Sequence, residues 1–244
     1  MSGSLRCSVD GGGSPVTLAV VGTDTGVGKT VVTAGLVAHL RHSGRDARAI
    51  KPAQTGFPAD DDAGYVQRIC GDDSAATRLR TFGEPLAPAV AARRSGDELA
   101  FDSLLEDIQH ELENASVGVI EGAGGVRVPL STDPQREIID LVAALEFPTL
   151  IVSRPGLGTL NHTTLTVEAL RARDVPVVGV VLNRYPSQPR SVAERTNPAE
   201  LERLCACPVR TLPEVSSEDP ESVRELGTRV VELCVEAGVL SARR

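Results

Sequence analysis

An α/β fold is predicted, in three layers, with a mainly parallel sheet covered by helices on both faces. Three observations predict it. Short apolar runs rich in β-branched residues alternate with helical patterns, which implies parallel strands joined by right-handed crossovers. The first run leads into a glycine-rich loop that opens a helix, and polar residues stand where several later runs end.

The elements follow in order. Residues 16–21 (VTLAVV) read as a strand buried on both faces, and residues 29–42 as the helix after the loop. Residues 47–51 (ARAIK), 117–121 (VGVIE), 149–153 (TLIVS) and 177–182 (VVGVVL) read as further strands. Phe101, Leu104, Leu105, Ile108 and Leu112 take the i, i+3, i+4, i+7 spacing of one buried helical face. Asn197-Pro198 and Asp219-Pro220 each set a capping side chain before a proline, which predicts a helix start at each. Val223, Leu226, Val230 and Leu233 form the apolar stripe of the last helix. Residues 1–14 (MSGSLRCSVDGGGS) are expected to be a disordered leader, and 15–244 a single domain.

Composition narrows the function. The chain has 244 residues, 41% hydrophobic and 24% charged, with a formal net charge of -8. That is an ordinary globular composition. The acidic balance argues against a nucleic acid partner, and no apolar run reaches the length of a membrane span. Five scattered cysteines match neither a disulfide framework nor a zinc site, so a reducing cytoplasm is expected. Only Lys29 and Lys51 are lysines; the other cations are arginines. Both lysines stand where a compact point charge would act.

The chemistry is concentrated around Lys29. In GTDTGVGKT, residues 22–30, Gly26 and Gly28 let amides turn toward a phosphate, and the following helix adds positive potential. Val27 inside that turn and Val31 just after Thr30 are expected to contact ATP with them. Lys29 would reach the β- and γ-phosphates, and Thr30 would offer its hydroxyl to Mg²⁺. The string is a P-loop variant, since Thr23 takes the place of the usual first glycine. Glu121 ends its apolar run before Gly122, Ala123 and Gly124, so it is either a metal ligand at the ligand edge or a solvent-facing cap. Asp60, Asp61 and Asp62 are either a solvated helix start or a source of one metal ligand. In KPAQTG, Lys51 is held by Pro52 where it could meet a phosphoryl group, and Thr55 offers a hydroxyl.

GTDTGVGKT, KPAQTG, IEGAGG and GTLNHT, in that order, closely resemble the dethiobiotin synthetase family, over about residues 16–235. The resemblance implies a P-loop NTPase fold and an ATP- and Mg²⁺-dependent reaction. In it 7,8-diaminononanoate and CO2 close to a cyclic urea through a carbamate and a carbamic-phosphoric anhydride. It implies that Lys29 and Lys51 neutralise γ-phosphate and carbamate, that Thr25 and Thr55 contact substrate, and that Thr30, Asp62 and Glu121 hold Mg²⁺. It places adenine at Asn183 and at Pro213, Glu214 and Val215. Arg184 and the missing aromatic after Pro213 depart from the family pattern there. Gly158, Thr159, Leu160 and Asn161 would hold the substrate carboxylate across a homodimer interface; judged without the family, Asn161 could equally be a helix cap. Arg154 before that segment is unusual. Partitioning ATPases carry a lysine where this chain has Asp24.

Overall fold

The computed structural model describes residues 15–113 and 115–241, so the expected leader lies outside the described residues. In chain order the elements are β1 (Val16–Gly22), α1 (Lys29–His42), β2 (Ala47–Thr55), α2 (Asp62–Cys70), β3 (Ala76–Phe82), α3 (Pro88–Ser95), α4 (Phe101–Leu112), β4 (Val117–Gly125) and β5 (Pro129–Thr132). There follow β6 (Gln135–Glu137), α5 (Ile138–Leu145), β7 (Thr149–Ser153), α6 (Thr159–Arg171), β8 (Val177–Tyr185), α7 (Val192–Cys205), β9 (Val209–Pro213) and α8 (Pro220–Glu236). One sheet has the order β3-β2-β4-β1-β7-β8-β9, with every pairing parallel. β5 and β6 form a separate antiparallel hairpin.

Alternation along β1 creates the layers. Leu18 and Val20 join a core with Leu36 and Val37 of α1, Val66 of α2 and Leu226 of α8. Ala19 and Val21 face the other way, into a core with Ile108 of α4, Ile139 of α5, Val167 of α6 and Leu201 of α7. Both faces of the strand are apolar because both are covered. After β1 the chain builds outward to β2 and β3, returns to β4, and then adds β7, β8 and β9 on the opposite side. The order reverses around β1, and ligands in such sheets bind outside the strand ends at that reversal.

Two helices cross unusually closely. A Cβ added to Gly227 of α8 would stand 2.0 Å from the Gly35 carbonyl oxygen of α1, so glycine at this crossing is a packing requirement. α8 therefore braces the helix that follows the phosphate loop.

Several expectations need correction. Residues 47–51 do not end a strand: β2 runs on to Thr55, so Lys51 lies inside it. Its pairing with β4 stops at Ile50↔Ile120, whereas its pairing with β3 continues to Thr55↔Phe82. Pro52 lies beyond the β4 ladder and takes no donor from it. Asn197-Pro198 does not start a helix. α7 opens six residues earlier by number, at Val192, where Ser191 accepts from Glu194 N at 3.1 Å and Glu194 accepts from Ser191 N at 3.0 Å. Pro198 has no N–H for the Glu194 carbonyl; the Tyr185 hydroxyl donates to it instead at 2.7 Å. Asp219-Pro220 behaves as expected, opening α8 with Asp219 accepting from Glu221 N.

Candidate active site

β1 ends at Gly22 and α1 begins at Lys29, so the loop between them occupies the sheet's reversal point. Gly26 (φ +74°) and Gly28 (φ +94°) take left-handed conformations. A Cβ on Gly28 would stand 2.0 Å from Asn183 Nδ2, so that position requires glycine twice over. Asn183, buried near the end of β8, donates to the Val27 carbonyl at 3.1 Å, and Arg184 donates to Gly26 O at 3.4 Å. The strand end thus holds the loop's shape through two of its carbonyls. Val31 sits half-buried in the first turn of α1.

Beneath the loop four elements bring charged groups together. The Thr30 hydroxyl lies 2.8 Å from both Asp62 Oδ1 and Glu121 Oε1. Lys51 Nζ lies 2.5 Å from Asp62 Oδ2 and 3.0 Å from Glu121 Oε1, and it donates to Gly122 O at 3.4 Å. Lys29 Nζ donates to Asp24 O at 3.2 Å. Lys29, Lys51 and Glu121 are only 7%, 5% and 2% exposed, so each charge depends on its partners. Burial opposes the Lys51 charge, but Glu121 and Asp62 outweigh it and hold the ammonium above its ordinary value. Burial would raise Asp62; Lys51 outweighs that and keeps the carboxyl low. Burial and then the neighbouring Lys51 push Lys29 down to about 8, against the pull of Glu121, Asp62 and Asp24.

The aspartate triplet divides its work. Asp61 caps α2 by accepting from Gly64 N at 2.9 Å and pairs with Arg78 at 2.8 Å, whose guanidinium lies 4.9 Å from the Phe57 ring centre. Asp60 is exposed. Asp62, the first helical residue, reaches Thr30 and Lys51, and its own N–H donates to Gln54 Oε1 at 3.0 Å. Nothing in the motif KPAQTG marked Gln54 as the residue that accepts from the backbone at the start of α2. Thr30, Asp62 and Glu121 form an all-oxygen donor set with two carboxylates, which fits the preference of Mg²⁺ for hard ligands shared with phosphate oxygens.

The remaining expected residues border this cluster. Thr25 is exposed, and a Cβ on Gly124 would stand 3.3 Å from its hydroxyl, so the end of β4 lies against the loop, while half-buried Ala123 packs on the second core. Thr55 closes β2, half-buried. Pro213 at the end of β9 stands in register with Tyr185, with Glu214 exposed and Val215 packed against the core on the α8 side. Gly158 (φ +91°) occupies the N-cap position of α6 and no side chain caps that helix. Asn161 is therefore no cap; it is exposed in the first turn, beside buried Thr159 and half-buried Leu160. Hydroxyls link this segment to the phosphate loop: Thr23 to Ser153 at 3.1 Å and Ser153 to Thr159 at 2.8 Å. Arg154 pairs with Asp24 at 2.6 Å.

Residues 16–219 match a family model described as an AAA domain. The chain is 53% identical to the ATP-dependent dethiobiotin synthetase BioD of Haloferax mediterranei, over 83% of this chain and 86% of that protein. It is 42% identical to proteins of the same name from Anaeromyxobacter dehalogenans (78% and 89% covered) and Rhodococcus erythropolis (84% and 91%). Among solved structures, a ParA family ATPase from Chlorobium tepidum matches with a TM-score of 0.59 at 13% identity, covering 91% of this chain and 98% of that one. The cell division protein FtsY of Thermotoga maritima matches with a TM-score of 0.51 at 18% identity, covering 91% and 72%. These two likenesses show the three-layer α/β fold alone. With its phosphate loop, its two buried lysines and this degree of identity to curated relatives, the chain belongs to the dethiobiotin synthetase family.

Proposed function

We propose that this protein is an ATP-dependent ligase of biotin biosynthesis that converts 7,8-diaminononanoate and CO2 to dethiobiotin, with ADP and phosphate as the other products. One amine takes up CO2 as a carbamate. A carbamate oxygen attacks the γ-phosphorus, and the bond to the β-phosphate oxygen breaks. The second amine then attacks the carbonyl carbon of the mixed anhydride, loses a proton and expels phosphate as the ring closes.

No protein nucleophile is needed; the demands are alignment and charge neutralisation. The observation that carries the reading is the meeting of Lys51 from β2 with Thr30 of the phosphate loop through the carboxylates of Asp62 and Glu121. Lys29 approaches the γ-phosphate from the loop side, and Lys51 holds the carbamate from the sheet side. Thr30, Asp62 and Glu121 would hold Mg²⁺, which supplies positive charge to the phosphate oxygens when bound. Asn183, Arg184 and residues 213–215 border the base, while Thr25, Thr55 and residues 158–161 receive the diamine and its carboxylate. The working unit is a cytoplasmic homodimer. Leu157, 91% exposed beside the segment assigned to the diamine, supports a contact there with the second copy. Incubation with diaminononanoate, bicarbonate, Mg²⁺ and ATP should yield the cyclic urea by mass in step with ADP. ATP hydrolysis that is indifferent to the diamine would instead place this chain with the switch-like ATPases it resembles in fold.

A further inference from the structure

We propose that Asn197 is a positioning residue that fixes the segment between β7 and α6 from behind, and through it sets the affinity for the diamine. The inference rests on the assignment of residues 158–161 to substrate. Asn197 lies inside α7 yet is only 3% exposed. Its side-chain amide donates to Pro155 O at 2.8 Å and to Gly156 O at 3.2 Å. Gly156 O also accepts from Thr159 N at 3.2 Å, so the Asn197 amide is a second donor there, and it supplies a donor to Pro155 O in a segment that forms no strand ladder. A single amide supplies both hydrogens.

The neighbouring residues make this geometry possible. Pro198 leaves the Glu194 carbonyl without its helical partner, and Tyr185 fills that gap from the end of β8. The same strand end that braces the phosphate loop thereby seats the turn of α7 bearing Asn197. On the other side, Ser153 and Thr159 close the segment with buried hydroxyls, and Thr163 donates to Ser153 at 3.0 Å. Residues 154–158 are thus pinned at both ends while Leu157 projects into solvent. Removing the Asn197 donors should release the middle of the segment without disturbing the loop that holds nucleotide.

Hydrogen exchange and steady-state kinetics on Asn197→Ala test this. The Thr159 amide, which donates to Gly156 O at 3.2 Å, should exchange at least about tenfold faster, while those of α1 remain unchanged. KM for the diamine should rise about tenfold or more, with kcat within about threefold and KM for ATP unaltered. Asn197→Leu keeps the volume without the donors and should behave alike, which covers failure of the alanine variant to fold. Cys205→Ala, in the same helix and equally buried, should leave both readouts at wild-type values. Unchanged exchange at Thr159 would overturn the pinning, and faster exchange with an unchanged diamine KM would overturn its link to substrate. Absence of urea formation by the wild type would defeat the proposed reaction instead, and the exchange arm would still decide the role of Asn197.

Discussion

Two lysines survive in a chain that otherwise uses arginine, and both are buried in one cluster, where a compact ammonium and a planar fork are not interchangeable. Lys29→Arg and Lys51→Arg should each lower kcat/KM at least about 100-fold, about 2.7 kcal/mol, although each keeps the charge. Activity within about threefold of wild type in either variant would remove that lysine from the proposed mechanism. The depressed Lys29 gives a pH signature. With its value at about 8, the free site loses this charge as pH rises through 8, and phosphate oxygens should restore it. Nucleotide binding at pH 8 should therefore take up about half a proton, and at pH 7 about a tenth, measured by calorimetry in buffers of different ionisation enthalpy. Lys29→Met should abolish the uptake. Within the aspartates, Asp62→Asn should raise the Mg²⁺ requirement about tenfold. Asp61→Ala should cost about 1 kcal/mol of stability through the cap and the Arg78 pair, without that effect on Mg²⁺. A Mg²⁺ titration that ranked them the other way would reverse the assignment.

At the scale of elements, the α1–α8 crossing ties the last helix to the phosphate loop. Gly227→Ala should destabilise the protein by about 2 kcal/mol, lowering Tm by about 5 °C, because the added methyl meets backbone that cannot swing aside. An unchanged Tm would mean the helices separate freely. The sequence was most legible where one element states its own burial. The stripe of α4, the Asp219 cap and the apolar runs of β1, β7 and β8 are local signals. β3 and β9 were not, since edge strands with exposed or half-exposed residues such as Arg78, Arg80 and Arg210 lack a continuous apolar run. The Ser191/Glu194 capping box was present in the sequence, but the Asn-Pro pair is also a helix-start signal and pointed to the wrong residue. In the site, glycine spacing exposed the phosphate loop, and family likeness singled out Asp62. Gln54 and Asn197 were illegible because their partners are backbone groups, at Asp62 and at Pro155, that no spacing rule connects to them.

For the whole molecule, the proposed reaction requires two anions to meet between two cations, and the proposed dimer completes the site for the diamine. Mixing Lys51→Ala chains with chains altered at both Leu160 and Asn161 should recover activity, since one intact site can form from two broken partners. Heterodimers without activity would mean that each chain works alone. The order of bond making is tested most directly by isotope. If carbamate oxygen attacks the γ-phosphorus, freshly dissolved oxygen-18-labelled CO2, quenched before it exchanges with water, should place one labelled oxygen in each phosphate released and leave the other in the urea carbonyl. Unlabelled phosphate formed in step with the urea would contradict that attack.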